Sequence, residues 1–249
     1  MKRLLIVFFA LAFLFSCEKE DIQKGGSLTL EFRLLYDGQV VSTPEKEYEL
    51  NDSITLRFSK VSYYLSDLQL NIDSTNYLDL DTEGDNIFHI SFLQTILGDA
   101  IPEPGVTLNF NNLPNGNYSS VSFGLGVAPA FNSSEPSNFI SNHPLSFSSE
   151  YWSPWESYIF SKIEGEFSVS GGESESLALH TGSDQAYREI QVRGNLSLSE
   201  NSDKVLRIDL DLKEVLESYP LLEAPRIHQR DQQNYVDMIA DGMNQSLTN

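Results

Sequence analysis

Few side chains in this sequence can do chemistry, and their spacing limits what that chemistry is. The 249 residues include four histidines, two tryptophans and one cysteine. Cys17 stands near the N-terminus, so no intramolecular disulfide can form. A soft-metal site in the body of the chain must therefore draw on imidazole, thioether, carboxylate or a modified side chain. The histidines are His89, His143, His180 and His228. His89 and His180 fall in expected strands, which would hold their rings in place. His143 precedes Pro144 in a loop. His228 stands between Arg226 and Arg230, a basic spot expected to disfavour a bound cation.

Other constellations are missing. No Ser-His-Asp arrangement can be located from spacing. Gly124-Leu125-Gly126 has no nucleophile and no following helix, so it is neither a nucleophile elbow nor a dinucleotide loop. There is no phosphate loop, HExxH or CxxC. A hydrolase is the least supported reading, and no enzymatic activity is expected. Asp79-Leu80-Asp81-Thr82-Glu83-Gly84-Asp85 spaces its carboxylates as a calcium loop does, without the full calcium-hand pattern. A solvated loop accounts for it. Trp152 and Trp155 would by default fill the core, and Lys162 with Glu164 would pair across one face. The net charge of −20 repels phosphate backbones and anionic headgroups, which excludes nucleic acid and favours cations or basic partners.

These residues must be placed by strands. Leu28, Leu30 and Phe32 alternate with Thr29, Glu31 and Arg33, the period of a half-buried strand. Further strands are expected at Ile54 to Phe58, Val61 to Ile72, Phe88 to Ile90, Val106 to Phe110 and Ser120 to Val127. Others cover Tyr158 to Ile163, Leu177 to His180, Tyr187 to Val192 and Val205 to Leu210. Asp37-Gly38 marks a turn, and Gly124 with Gly126 marks close backbone approach or a bulge. Asn132 to His143 is expected to be a polar loop. Asp211 to Ser218 and Gln232 to Met243 carry apolar residues at helical spacing. The expected fold is all-β: a single β-sandwich, immunoglobulin-like or a related Greek key, with one or two short C-terminal helices.

The N-terminus sets the compartment. Lys2 and Arg3 precede an apolar run from Leu4 to Phe15, shorter than the roughly 20 residues a spanning helix needs. Leu14-Phe15-Ser16-Cys17 resembles a lipobox. Residues 1–16 are thus expected to be a lipoprotein signal peptide, with Cys17 acylated and residues 17–26 a polar tether. Two or three acyl chains anchor stably where one is marginal. Glu18-Lys19-Glu20-Asp21 resembles the surface-export signal of Bacteroidetes lipoproteins. The expected location is the cell envelope, lipid-anchored to the outer membrane, periplasmic or surface-facing.

Four segments in order give residues 27–249 a family likeness. They are Phe58 to Leu70, Leu113-Pro114-Asn115-Gly116-Asn117-Tyr118 running into Phe123 to Val127, Tyr151 to Gly165, and Leu179-His180-Thr181-Gly182. The domain resembles the MbnP-like family, the secreted copper-binding proteins associated with methanobactin operons. That resemblance implies an all-β domain binding copper through histidines. It also implies that a tryptophan can be oxidised to kynurenine by a di-haem peroxidase-like partner. Indole nitrogen has no free lone pair, so an unmodified tryptophan is a poor ligand. His180, inside the motif, is the first ligand candidate, followed by His89 and His143, with Trp152 and Trp155 as possible oxidised aromatics. The chain departs from the family in its Trp152-Ser153-Pro154-Trp155, where two tryptophans one residue apart are usual. Two functions are carried forward: a copper-binding lipoprotein for capture, storage or delivery, and a metal-free surface binding or adhesion module on the same fold.

Overall fold

The computed structural model describes residues 25–41, 46–80, 84–93, 105–228 and 230–247. The expected signal peptide, Cys17 and most of the tether lie outside them, as does part of the acidic stretch after Asp79. In chain order the first strands are β1 (Gly26–Tyr36), β2 (Gln39–Val40), β3 (Tyr48–Asn51), β4 (Ile54–Asn71), β5 (Tyr77–Asp79), β6 (Ile87–Leu93), β7 (Val106–Leu113) and β8 (Gly116–Leu125). After a short helix α1 (Pro129–Asn132) come β9 (Tyr151–Trp152), β10 (Ser157–Val169), β11 (Glu175–Gly182), β12 (Arg188–Leu198) and β13 (Asp203–Asp211). Helix α2 (Leu212–Leu216), strand β14 (Arg226–Ile227) and helix α3 (Gln233–Leu247) complete the order.

Two sheets result, as expected of a β-sandwich. In the smaller, β1 pairs with β13 in parallel and with β7 antiparallel, and turns into β2. That hairpin turn is Asp37-Gly38, both at positive φ, the form that matches strand twist. The larger sheet is built on β4. Along one edge β4 carries β10 and then β8, and along the other β3, β6 and β5. Strand β12 extends β8, while β11 and then β14 extend β10. The separate strands expected at Ile54 to Phe58 and Val61 to Ile72 are one strand, with a register shift near Ser59.

The core lies between the sheets. Leu28, Leu30, Phe32 and Leu34 alternate inward from β1. Phe32 meets Tyr63 and Phe123 of the larger sheet edge-on, at 6.5 and 6.2 Å. Each such aromatic contributes by the area it removes from water, with an added preference for edge-on contact.

A second covered face was not expected. On β4 every residue from Val61 to Ser66 is buried, and on β10 every residue from Ser157 to Ile163. The cover is the segment expected to be an open polar loop, extended to Trp155. It follows α1 and contains four 3-10 turns. Tyr64 and Tyr158 donate their hydroxyls to the carbonyls of Pro144 and Leu145, at 2.9 and 2.8 Å. Lys162 Nζ donates to Ser149 O at 2.8 Å. Glu150, 3% exposed, accepts from Lys60 at 3.0 Å and Lys162 at 2.8 Å. Burial pushes the Glu150 carboxyl upward, but the two lysines outweigh it and leave it below its ordinary value. Lys162 therefore bonds Glu150, and the exposed or semi-buried pair expected between Lys162 and Glu164 does not close into an ion-pair contact among the described residues.

The helices follow the sequence closely. Asp211 caps α2, its carboxylate accepting from Lys213 N at 2.9 Å. Helix α3 buries Val236, Ile239, Ala240 and Met243 and packs against β11, β12 and β13.

Candidate metal centre

His180, on β11, stands directly opposite Lys162 on β10, which stands opposite Ser62 on β4. Residues in register across a sheet share a face, so His180 looks into the covered layer. It is 8% exposed. Beyond it, β14 runs parallel to β11, with Ala178 opposite Arg226 and Leu179 opposite Ile227. Continuing that register by one residue sets His228 beside His180. Their ring centroids are 4.9 Å apart at 76°.

Trp152 closes the site. Strand β9 pairs with the start of β10, Trp152 opposite Ser157, around a tight turn in which Glu156 adopts a left-handed conformation. The Trp152 ring stacks on His228 at 5.7 Å and 15°, and meets Trp155 at 6.3 Å and 61°. Trp155 is buried against the backbone of β11. A Cβ on Gly182 would lie 2.8 Å from two of its ring carbons, so only glycine admits the indole there.

The hydrogen bonds make the pair unusual. His180 Nε2 bonds Glu164 Oε1 at 2.8 Å. His180 Nδ1, His228 Nδ1 and Trp152 Nε1 are buried without a hydrogen-bond partner. Buried polar atoms nearly always find partners, and each exception calls for an explanation. The bond from His180 holds the Glu164 carboxyl below its ordinary range, against burial, which pushes the other way. Burial lowers His228, as do His180 and Arg226, while Glu164 opposes them. The effect on His228 suits a neutral imidazole, the state in which histidine binds metals, and the effect on Glu164 suits an ionised carboxylate beside it.

The other expected ligands lie elsewhere. His89, on β6, pairs with Tyr64 on the opposite edge of β4 from β10. It is separated from His180 by β4 and β10, three strand spacings or about 14 Å. Its ring packs on Tyr64 at 4.7 Å and on Phe147 at 6.3 Å. Burial lowers it to about 4. His143 has both nitrogens engaged: Nδ1 accepts from Leu145 N at 3.1 Å and Nε2 meets Asp85 Oδ2 at 2.9 Å. It stacks on Phe139 at 4.6 Å. The structure thus brings His180, Trp152 and Trp155 together and leaves His89 and His143 out. Among the described residues no three His, Cys, Asp or Glu side chains gather into a metal-binding group. The centre is two imidazoles and an indole, with one carboxylate behind them.

His228 is the residue that sequence reasoning set aside. Its neighbouring arginines counted against it, but Arg226 is exposed and water screens its charge. No local signal marked it: alternation sets His228 on the face of exposed Arg226, opposite buried Ile227, and it is the pairing of β14 with β11 that brings it to His180.

The MbnP family model matches residues 25–234. The chain belongs to the MbnP family. The match takes in every residue of the centre, from Trp152 to His228. No curated protein matches the chain, and no solved structure does.

Proposed function

We propose that this MbnP-family protein binds copper at the His180–His228 pair as cargo, for capture, storage or delivery. The observation that carries the reading is the pair of imidazoles with buried, unpartnered Nδ1 atoms. Imidazole nitrogens are suitable copper donors, and family membership points to the same metal. Arg226 and Lys162 count against a cation here, but Arg226 is exposed and Lys162 is matched by Glu150.

Trp152 is the aromatic we propose for oxidation, by a di-haem peroxidase-like partner. It lies on the His228 ring, with its own nitrogen buried and unpartnered. Cleavage of the indole C2–C3 bond by a peroxide oxidant inserts two oxygen atoms and gives an N-formyl aryl ketone, and hydrolysis of the formyl group as formate would then leave an aromatic amine, a better donor than indole, next to the imidazoles. The peptide containing Trp152, from protein made in its native host, would then differ in mass from the unmodified peptide. We further propose that Cys17 is acylated and holds the domain at the outer membrane.

The deciding experiment is copper content and titration of the domain from Gly25 onward. About one copper per chain is expected, lost in both His180→Ala and His228→Ala and kept in His143→Ala. Equal copper in wild type and the two alanine variants would refute the site. No copper in the wild type would favour the metal-free binding module.

A further inference from the structure

His180 has two ring nitrogens, and the fold has already spoken for one of them. A neutral imidazole carries a proton on one nitrogen and a lone pair on the other. Glu164 Oε1 lies 2.8 Å from Nε2, and an ionised carboxylate can only accept. The proton therefore belongs on Nε2, and the lone pair falls on Nδ1, the atom that is buried without a partner.

We infer that Glu164 is a positioning residue that fixes the tautomer of His180 and so makes Nδ1 the metal-binding nitrogen. The inference rests on the copper reading above and specifies how that centre is set up.

The surroundings show why Glu164 is available for this. It stands opposite Ala178 on β11, whose methyl group leaves room for the carboxylate to reach diagonally to His180. On its other side it stands opposite Lys60, and Lys162 lies two residues away on the same face. Either lysine would compete with His180 for the carboxylate. Both are held instead by Glu150, at 3.0 and 2.8 Å, and Lys162 is held again by Ser149 O. Glu150 takes the lysines, and Glu164 is left to orient the imidazole. A carboxylate behind a ligating histidine fixes its orientation and raises its basicity, and removing such a group costs about 10- to 100-fold in metal affinity.

The test has two arms. Nitrogen NMR of the metal-free protein at about pH 8, above the ordinary histidine range, reads the His180 tautomer directly. The wild type is expected in the Nε2–H form. Glu164→Ala should shift to a mixture or to Nδ1–H. Glu164→Gln should keep Nε2–H, because its amide oxygen can still accept. Competitive copper titration should then show a loss of about 10- to 100-fold in Glu164→Ala and recovery of most of it in Glu164→Gln. An Nδ1–H tautomer in the wild type, or an unchanged tautomer in Glu164→Ala, overturns the inference. So does equal copper affinity in all three proteins. A wild type that takes up no copper overturns the copper reading instead, and the NMR arm still decides the role of Glu164.

Discussion

His143 and His180 differ in where their ring nitrogens go. His143 spends both, one on a backbone amide and one on Asp85. His180 spends one, and His228 keeps its Nδ1 unpartnered beside it. That difference separates His143 from the His180–His228 pair. His89 is a third kind: its Nε2 is also buried without a partner, but it packs on Tyr64 away from the pair, and desolvation holds it neutral down to about 4, well below the ordinary 6.5. The sign of its pH effect follows. The unfolded chain takes up a proton near pH 6.5 and the folded chain does not, so stability is full above that value and falls as pH drops toward 4. The loss from this residue is about 3 kcal/mol. Urea denaturation at several pH values should show the decline, and His89→Gln should flatten it between those limits. Below that window Glu150 adds a loss of the same sign, because its folded value is also depressed.

At the scale of elements, the centre depends on how closely β11 admits its neighbours. Gly182 lets the Trp155 indole lie on the strand, and the short parallel pairing of β14 with β11 brings His228 alongside His180. Gly182→Ala is expected to push Trp155 away, because its Cβ would also meet Tyr158 O at 2.8 Å. Overpacking of this kind costs about 1–3 kcal/mol. A lower urea midpoint with reduced copper stoichiometry is the expected result, and an unchanged midpoint would show that the indole has room to shift. The strands were readable from alternation, the helices from their apolar spacing, and the Asp37-Gly38 turn from its residue types. The covering segment was not. Its polar composition and low periodicity describe an open loop, and only long-range bonds from Tyr64, Tyr158 and Lys162 pin it down. Beneath it the structure buries Ser62, Ser66 and Lys162, polar residues on a face that the segment covers.

For the whole molecule, Cys17 is close in sequence to the first described strand. β1 begins at Gly26, with β13 and β7 on its two sides, nine residues after Cys17. An extended chain of that length reaches about 30 Å at most, so an acylated Cys17 would hold the domain close to the bilayer. The strongly acidic surface would then keep the domain from lying down on anionic headgroups. The anchor is checked by labelling with radioactive palmitate in a bacterial host. Incorporation into wild type and not into Cys17→Ala is expected, and equal labelling of both would remove the lipoprotein reading.

Strand periods, turn chemistry and the segments of the family likeness are local properties, each carried by a few neighbouring residues, and they were sufficient for the all-β sandwich and its terminal helices and pointed to His180, Trp152 and Trp155 as candidates. The choice of second histidine is different in kind. His180 and His228 are 48 residues apart in the chain, and what joins them is the register of β14 on β11. Glu164 reaches the same ring from a third strand, and Glu150 frees it to do so from the covering segment. Such pairings depend on which strands become neighbours and which lysine each carboxylate takes, and these are settled only when the sheet closes and water leaves the layer above it.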